Sequence, residues 1–202
     1  MALLVYTVDL DNQSTKTTIA TAARHILEEE GADAVTMRRV ADVARITPMA
    51  IYRHYEARAE LLNSLADKGF ADLAERIARK SFTGTPGERL LKMAEIYLDH
   101  ALDNPRLFEL MFLGKRDGAR RYPLDFKAGR SPTASLMADA VLAGMKNGDL
   151  LDDDAWEIVF EMGALSHGLI MLYLGGRIAI GARGFRALYR RSFKRYLRGI
   201  ST

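Results

Sequence analysis

The sequence predicts an all-helical protein in two parts, and three observations carry that expectation. Apolar residues recur with a 3.6-residue period along most of the chain, while strict period-two alternation is nearly absent. Candidate helix starts and stops fall where capping residues stand, with Thr or Asp before apolar runs and Gly after them. The chain has 202 residues, nearly half of them hydrophobic, and no cysteine, so it must build its cores without disulfides. The expected organisation is a loose arm over residues 1–14, a three-helix unit over 15–60, and a bundle of six helices over 61–202. That makes about nine helices in total.

Taken in order, residues 1–9 lack a basic n-region and soon meet acids, which makes a poor signal peptide. Ile19, Ala22, Ala23, Ile26 and Leu27 share one face of an amphipathic helix. Gly31 follows, where a left-handed C-cap is expected. Thr36 caps a second helix with inner face Met37, Val40, Ala41 and Ala44. Arg45 and Ile46 turn the chain. Thr47 at the N-cap and Pro48 at the first helical position then open a third helix of about two turns, anchored by Ile51 and Tyr55. That helix is too short and too polar to be a core element. Two short helices joined by a tight turn, the second crowded with Tyr52, Arg53 and His54, form the pattern of a helix-turn-helix.

A long helix is expected from Arg58 to Arg79, with Leu62, Leu65, Ala66, Gly69, Phe70, Leu73 and Ile77 inward. After Gly84, Thr85 and Glu88 have the spacing of a capping box and start a helix carrying Ala94, Tyr97, Leu98 and Ala101. Pro105 restarts a short helix with Leu107, Phe108, Met111 and Phe112. Residues 114–132, rich in Gly, Arg and Pro, read as a long loop. Another helix covers Thr133 to Lys146. Asp152, Asp153 and Asp154 precede the most apolar helix, where three acids read as a favourable N-terminal cap rather than a cation site. The apolar run Met162–Gly176 falls short of a membrane span. The last helix carries a stripe from Phe185 to Ile200. Its wet side holds most of the eight Lys and Arg between Arg177 and Arg198, a stretch without acids, and reads as a solvated basic face.

From Thr17 to Leu62 the chain resembles the TetR family of bacterial transcriptional regulators. The residues that carry the resemblance are Ala22 and Ala23, Gly31, Thr36, Val40 and Ala41, Ala44, Ile46 and Thr47. The run Ile51 to Tyr55 and then Glu60, Leu61 and Leu62 complete it. Arg58 stands where the family usually has lysine, and Arg45 where it commonly has Gly in the turn. The segment Ser166, His167, Gly168 partly resembles a C-terminal domain named for a Trp-His-Gly motif, with Ser166 in place of the Trp.

The resemblance implies a cytoplasmic homodimer that reads a near-palindromic double-stranded DNA operator and is released by a small apolar ligand. The expected DNA-binding residues are Thr36, Arg38, Arg45, Thr47, Pro48, Met49, Ala50, Tyr52, Arg53, His54 and Arg58. Met49, Ala50 and Arg53 are placed for base edges, and Thr47, Tyr52, His54 and Arg58 for phosphates. Arg38, Arg39, Arg45, Arg53 and Arg58 against Asp42 and Glu56 give this stretch the local excess that a phosphate-facing surface needs.

A ligand is expected among Phe70, Tyr97, Phe108, Met111, Phe112, Met137, Phe160, His167 and Met171, since Met and aromatic side chains make adaptable pockets. His167 has a second reading as a buried core histidine. A dimer interface is expected over Trp156, Phe160, Gly163, Ile170 and Leu174, with Phe185, Leu188, Tyr189, Phe193 and Tyr196 from the last helix. His25, His54, His100 and His167 show no metal spacing, and no phosphate-cradling loop or nucleophile elbow is present. No cofactor, metal, membrane association or enzymatic activity is expected. The competing reading is a helical small-molecule-binding or interaction protein without DNA binding.

Overall fold

The computed structural model describes the backbone of residues 2–113, 116 and 118–202, and side chains from residue 13 onward. The described residues form ten α-helices and one 3-10 turn, and their only strand-like pairing is a bridge between Leu150 and Ser201. The helices are α1 (Ala2–Glu30), α2 (Met37–Ala44), α3 (Pro48–Tyr52), α4 (Arg58–Ala78) and α5 (Pro86–Asp103). After them come α6 (Pro105–Leu113), α7 (Leu124–Lys127), α8 (Pro132–Lys146), α9 (Ala155–Leu174) and α10 (Ala182–Gly199). The tenth helix, α7, lies inside the stretch expected to be a loop. Residues 114, 115 and 117 of that stretch lie outside the described ones.

The backbone of residues 2–14, expected as a loose arm, continues α1 instead. No Gly or Pro stands between Ala2 and Glu30, so nothing in the chain interrupts the ladder. Gly31 has φ 92° and ψ 173°, a positive φ as expected but with extended ψ, a region that is essentially Gly-only. The 3-10 turn Ala32–Ala34 then leads to Thr36.

Contacts divide the chain into two units. The first comprises Met1–Gly69 with Asn104–Asp117, and the second Phe70–Asp103 with Gly118–Thr202. The division therefore falls past residue 60, and α6 returns to the first unit. Its reasons are local. Arg24 donates to Asn104 Oδ1 at 2.6 Å, and Arg106 donates to the Glu28 carbonyl at 2.8 Å, filling an acceptor that the end of α1 leaves open. Gly69 lets α6 lie close on α4, since a Cβ there would stand 2.6 Å from Met111 Sδ and 3.0 Å from Leu107 Cδ2.

In the second unit α5 packs against α8, α9 and α10, and α9 against α8 and α10. The capping box forms: Thr85 N donates to Glu88 Oε2 at 2.9 Å, and Glu88 N to Thr85 Oγ1 at 3.3 Å. Asp154 caps α9 by accepting from the amides of Trp156 and Glu157, and Lys127 donates to its other oxygen at 2.8 Å. Both partnerships hold its carboxyl below the usual carboxylate range. By length and composition α9 is apolar enough to cross a membrane, contrary to the sequence expectation. A run counted from Met162 is short because the helix opens earlier, at Ala155. Its Ala155, Ile158, Val159, Met162, Ser166 and Ile170 are buried within the unit.

The stripe on α10 also turns inward. Phe185, Tyr189 and Phe193 are each fully buried. Phe185 stacks on Tyr173 at 4.0 Å and Tyr189 on Phe193 at 4.9 Å. Tyr189 Oη donates to the Ala94 carbonyl at 2.9 Å and lies 2.6 Å from Ser166 Oγ, so one phenol ties α5, α9 and α10. With its proton committed to Ala94, the serine is the donor of the second bond. Burial pushes the Tyr189 phenol above its ordinary value. These residues and Ile170, expected from the sequence at an interface between protomers, are buried within the protomer by their own helices.

Truncating one of these rings tests that assignment. Phe193→Ala should lose about 3–5 kcal/mol in denaturant unfolding, and Phe193→Glu should abolish the cooperative transition, because each acts on the protomer core. A Phe193→Glu chain with wild-type unfolding and altered oligomeric state would return Phe193 to an interface.

Candidate nucleic-acid interface

The three-helix unit is built from its caps outward. Thr36 Oγ1 accepts from Arg39 N at 3.2 Å and starts α2. Met37, Val40 and Ala41 of α2 are buried in the first unit, where α2 packs on α1. The helix stops at Arg45, whose backbone is left-handed at φ 56°, ψ 42°. Arg45 N donates to Asp42 O at 3.3 Å and Ile46 N to Ala41 O at 3.1 Å, the paired bonds of a Schellman ending. Among the described residues Arg45 is the one non-glycine with positive φ.

Two residues on, Thr47 Oγ1 accepts from Ala50 N at 3.2 Å, and Pro48 opens α3. The third helix is only five residues long and ends at Tyr52, sooner than its sequence suggests. Arg53 is its C-cap, and the amides of His54 and Tyr55 both donate to Ile51 O, at 2.8 and 3.0 Å. Ile51 and Tyr55 are buried, as their anchoring role requires. Between them the fold leaves Met49 67% and Tyr52 50% exposed, with Arg53 beside them.

The arginines of this unit sort into two sets. Arg24 pairs with Glu28 at 3.3 Å, and Arg39 with Glu30 at 2.8 Å, a bond that raises the Arg39 pKa further. Arg38, Arg45 and Arg53 are exposed, and among the described residues none of their side chains enters an ion pair. Arg58, read from the sequence as a phosphate contact, belongs with the partnered set. Its Nε donates to Val35 O at 2.7 Å and its Nη2 to Ala32 O at 2.6 Å, with Asp33 at 3.8 Å. The guanidinium fork at the start of α4 thus fastens the turn that leads into α2. A fork that satisfies two carbonyls geometrically is a better use of Arg than of Lys.

The residues expected to hold a ligand fall in both units. Phe108 and Met111 are buried within the first unit, and Phe112, more exposed, packs on Phe108 at 4.7 Å between ring centroids. Met111 fills the seat beside Gly69, and Phe108 and Met111 are core, while Phe112 is exposed. In the second unit Tyr97 and Met137 meet against Leu73, Ile77 and Met93. Phe70 lies under Arg120 at 5.3 Å. Phe160, 46% exposed, stacks instead on Tyr122 at 4.3 Å. His167 is partly buried, and burial pushes its pKa below the ordinary value, while Met171 is partly exposed. A groove of about 380 Å³ lies between α5 and α10, lined by Leu98, Arg183, Ala187 and two ion pairs, Arg186–Asp99 and Arg190–Glu95. Most of the residues that line it are charged, and none of them is among those expected to hold a ligand. No cluster of three or more metal-ligating side chains occurs among the described residues.

A capped, exposed, two-helix reader on a helical body defines a DNA-binding regulator of the helix-turn-helix class. Residues 19–65 match the family described as bacterial regulatory proteins, tetR family, and residues 90–197 match the tetracyclin repressor-like C-terminal domain. The chain belongs to the TetR family of transcriptional regulators. It is 27% identical over 169 residues to the class A tetracycline repressor from transposon 1721 of Escherichia coli, covering 83% of this chain and 70% of the repressor. It is 28% identical over 104 residues to the uncharacterized regulator YobS of Bacillus subtilis. That alignment takes in 51% of this chain and about half (54%) of YobS. A solved structure of a protein of unknown function from Rhodococcus sp. RHA1 superposes with a TM-score of 0.78 at 24% identity, over 93% of this chain and 96% of that one. The tetracycline repressor and YobS both carry the names of transcriptional regulators.

Removing the Arg58 fork should destabilise the first unit rather than weaken phosphate binding. Arg58→Ala should lose about 2 kcal/mol in urea unfolding and leave the salt dependence of DNA binding unchanged. A fall in the salt slope with unchanged stability would restore the phosphate assignment.

Proposed function

We propose that the chain is a homodimeric repressor whose two α3 helices enter successive major grooves of a near-palindromic operator, and that a small apolar ligand releases it. The observation that carries this reading is the exposure of Met49, Tyr52 and Arg53 around an α3 whose one fully buried residue is Ile51. In the groove Arg53 pairs with guanine O6 and N7, while Met49 and Ala50 meet thymine methyls. Thr47, Tyr52, His54 and Arg38 hold phosphates and fix the register. Thr36 and Pro48 set the starts of the two helices. Such a role belongs to the cytoplasm.

For the dimer we propose the outer face of α9. Phe160, Ala164, Gly168 and Leu172 recur every fourth residue and are exposed. Gly163 and Gly168 have open space where a Cβ would point, so a second backbone can approach closely. Trp156 and Leu174 are half-buried at the ends of that helix, and Leu188 and Tyr196 are half-buried on α10. Tyr196 Oη lies 2.6 Å from Glu161 Oε2 within the protomer.

For the ligand we propose the neighbourhood of Tyr97 and Met137 in the second unit. A ligand can release DNA only by binding the non-DNA conformation more tightly. Helix α4 contributes residues to both units, through Gly69 to the first and from Phe70 to the second. We propose it as the element the ligand moves.

Two measurements test this. In gel shifts with DNA from around its own gene, at a stated salt concentration, Arg53→Ala should lose about 1–3 kcal/mol on the operator and relax base preference. Equal loss on operator and random DNA would defeat the base-reading role. In sedimentation the wild type should be a dimer, and Leu172→Glu a folded monomer whose stability changes by under about 0.5 kcal/mol. A Leu172→Glu dimer would place the interface elsewhere.

A further inference from the structure

The turn of the helix-turn-helix holds a side chain that the fold does not use. Arg45 is forced into the left-handed region, where glycine is favoured and a Cβ meets the following carbonyl. The bonds that fix the turn come from backbone groups, Arg45 N to Asp42 O and Ile46 N to Ala41 O, and any residue with an amide forms them equally well. The Arg45 guanidinium is exposed and enters no ion pair among the described residues, whereas Arg24, Arg39 and Arg58 of the same unit are all tied to acids or carbonyls. For the protomer alone this arginine is unfavourable. It adds strain, and it adds a third unpaired cation beside Arg38 and Arg53.

We infer that Arg45 is a DNA-backbone contact in its own right, a phosphate ligand just outside the recognition helix, present although it destabilises the protomer. This rests on the reading of α3 as the recognition helix. Arg45 lies three residues before Pro48, the first residue of α3, and Arg53 caps its other end. The two cations therefore bracket the helix. Arg53 is carried on the element that enters the groove, while Arg45 stands on the turn before it, where the sugar-phosphate backbone runs past. A contact there is sequence-blind: it raises affinity for every duplex and carries no base preference. It also explains how the turn tolerates a residue other than glycine. Burying a phosphate against the free guanidinium offsets the strain only when DNA is bound.

The test is a substitution that the fold welcomes. Arg45→Gly relieves the left-handed strain and removes the charge, so it should raise Tm by about 2–8 °C. It should also weaken binding to a random-sequence duplex by about tenfold at physiological salt. The slope of log K against log salt should fall in magnitude by about 0.9 per protomer, the share of one neutralised phosphate. Arg45→Lys keeps both the charge and the strained backbone, and should keep the wild-type Tm and slope. If Arg45→Gly binds random duplex with the wild-type slope, or if the slope of Arg45→Lys falls as that of the glycine variant does, Arg45 holds no phosphate and the inference is overturned. If the wild type itself binds no duplex, the underlying reading of α3 fails as well, so the two failures are distinguishable.

Discussion

A five-residue helix has no stability of its own, and this constraint organises the first unit. Helix α3 keeps its shape because its neighbours supply what its length cannot. Thr47 caps its start and Pro48 presets its first dihedral. Ile51 and Tyr55 fix one side in the core. The preceding turn is locked by the paired bonds around Arg45, and α2 is in turn held by its Thr36 cap. Behind these, the Arg58 fork holds the carbonyls of Ala32 and Val35, so the start of α4 and the entry to α2 keep a fixed relation. Ile51 and Tyr55 face inward, and the Thr36, Thr47 and Arg58 side chains are bonded to backbone groups. What remains outside is a short set of side chains, Met49, Tyr52, Arg53, Arg38 and Arg45, with no work to do in the protomer.

The second unit is governed by a different constraint. Its core contains a buried polar pair, Tyr189 and Ser166, that specifies its neighbours. Tyr189 joins the Ala94 carbonyl on α5 to Ser166 on α9 from a fully buried ring on α10. An unmatched hydroxyl in that position costs more than a matched one gains, so the network favours a single register of three helices. The outer face of α9 leaves Phe160, Ala164, Gly168 and Leu172 exposed, with Phe160 stacked on Tyr122. One helix therefore divides its faces between a specified core and an uncovered apolar stripe.

Much of this is legible in the sequence, where a local rule decides the outcome. Thr36, Thr47, Thr85 and Asp154 all cap as their identity suggests. The helical periods of α1 and α2 identify the buried faces, and Gly31 has the positive φ its place requires. What the sequence hides depends on tertiary partners. Whether the stripe on α10 meets its own protomer or another copy is invisible to periodicity, because both leave the same apolar pattern. Whether Arg58 meets phosphate or carbonyl depends on where the chain places residues 32–35. Met111 looks like a pocket side chain until Gly69 is seen to open a seat for it beside Leu107. The extension of α1 to Ala2 is readable from the absence of breakers, while α7 is obscured by the Gly, Arg and Pro around it.

The central claim is that a TetR-family chain with this exposed α3 reads DNA as a symmetric pair of heads. Hydroxyl-radical footprinting of the wild-type protein on an operator selected from its own upstream region tests it most directly. Two protected clusters are expected on one face of the duplex, their centres about one helical turn, roughly 34–36 Å, apart and related by the operator's approximate dyad. A single cluster, or protection without sequence preference at physiological salt, would contradict it.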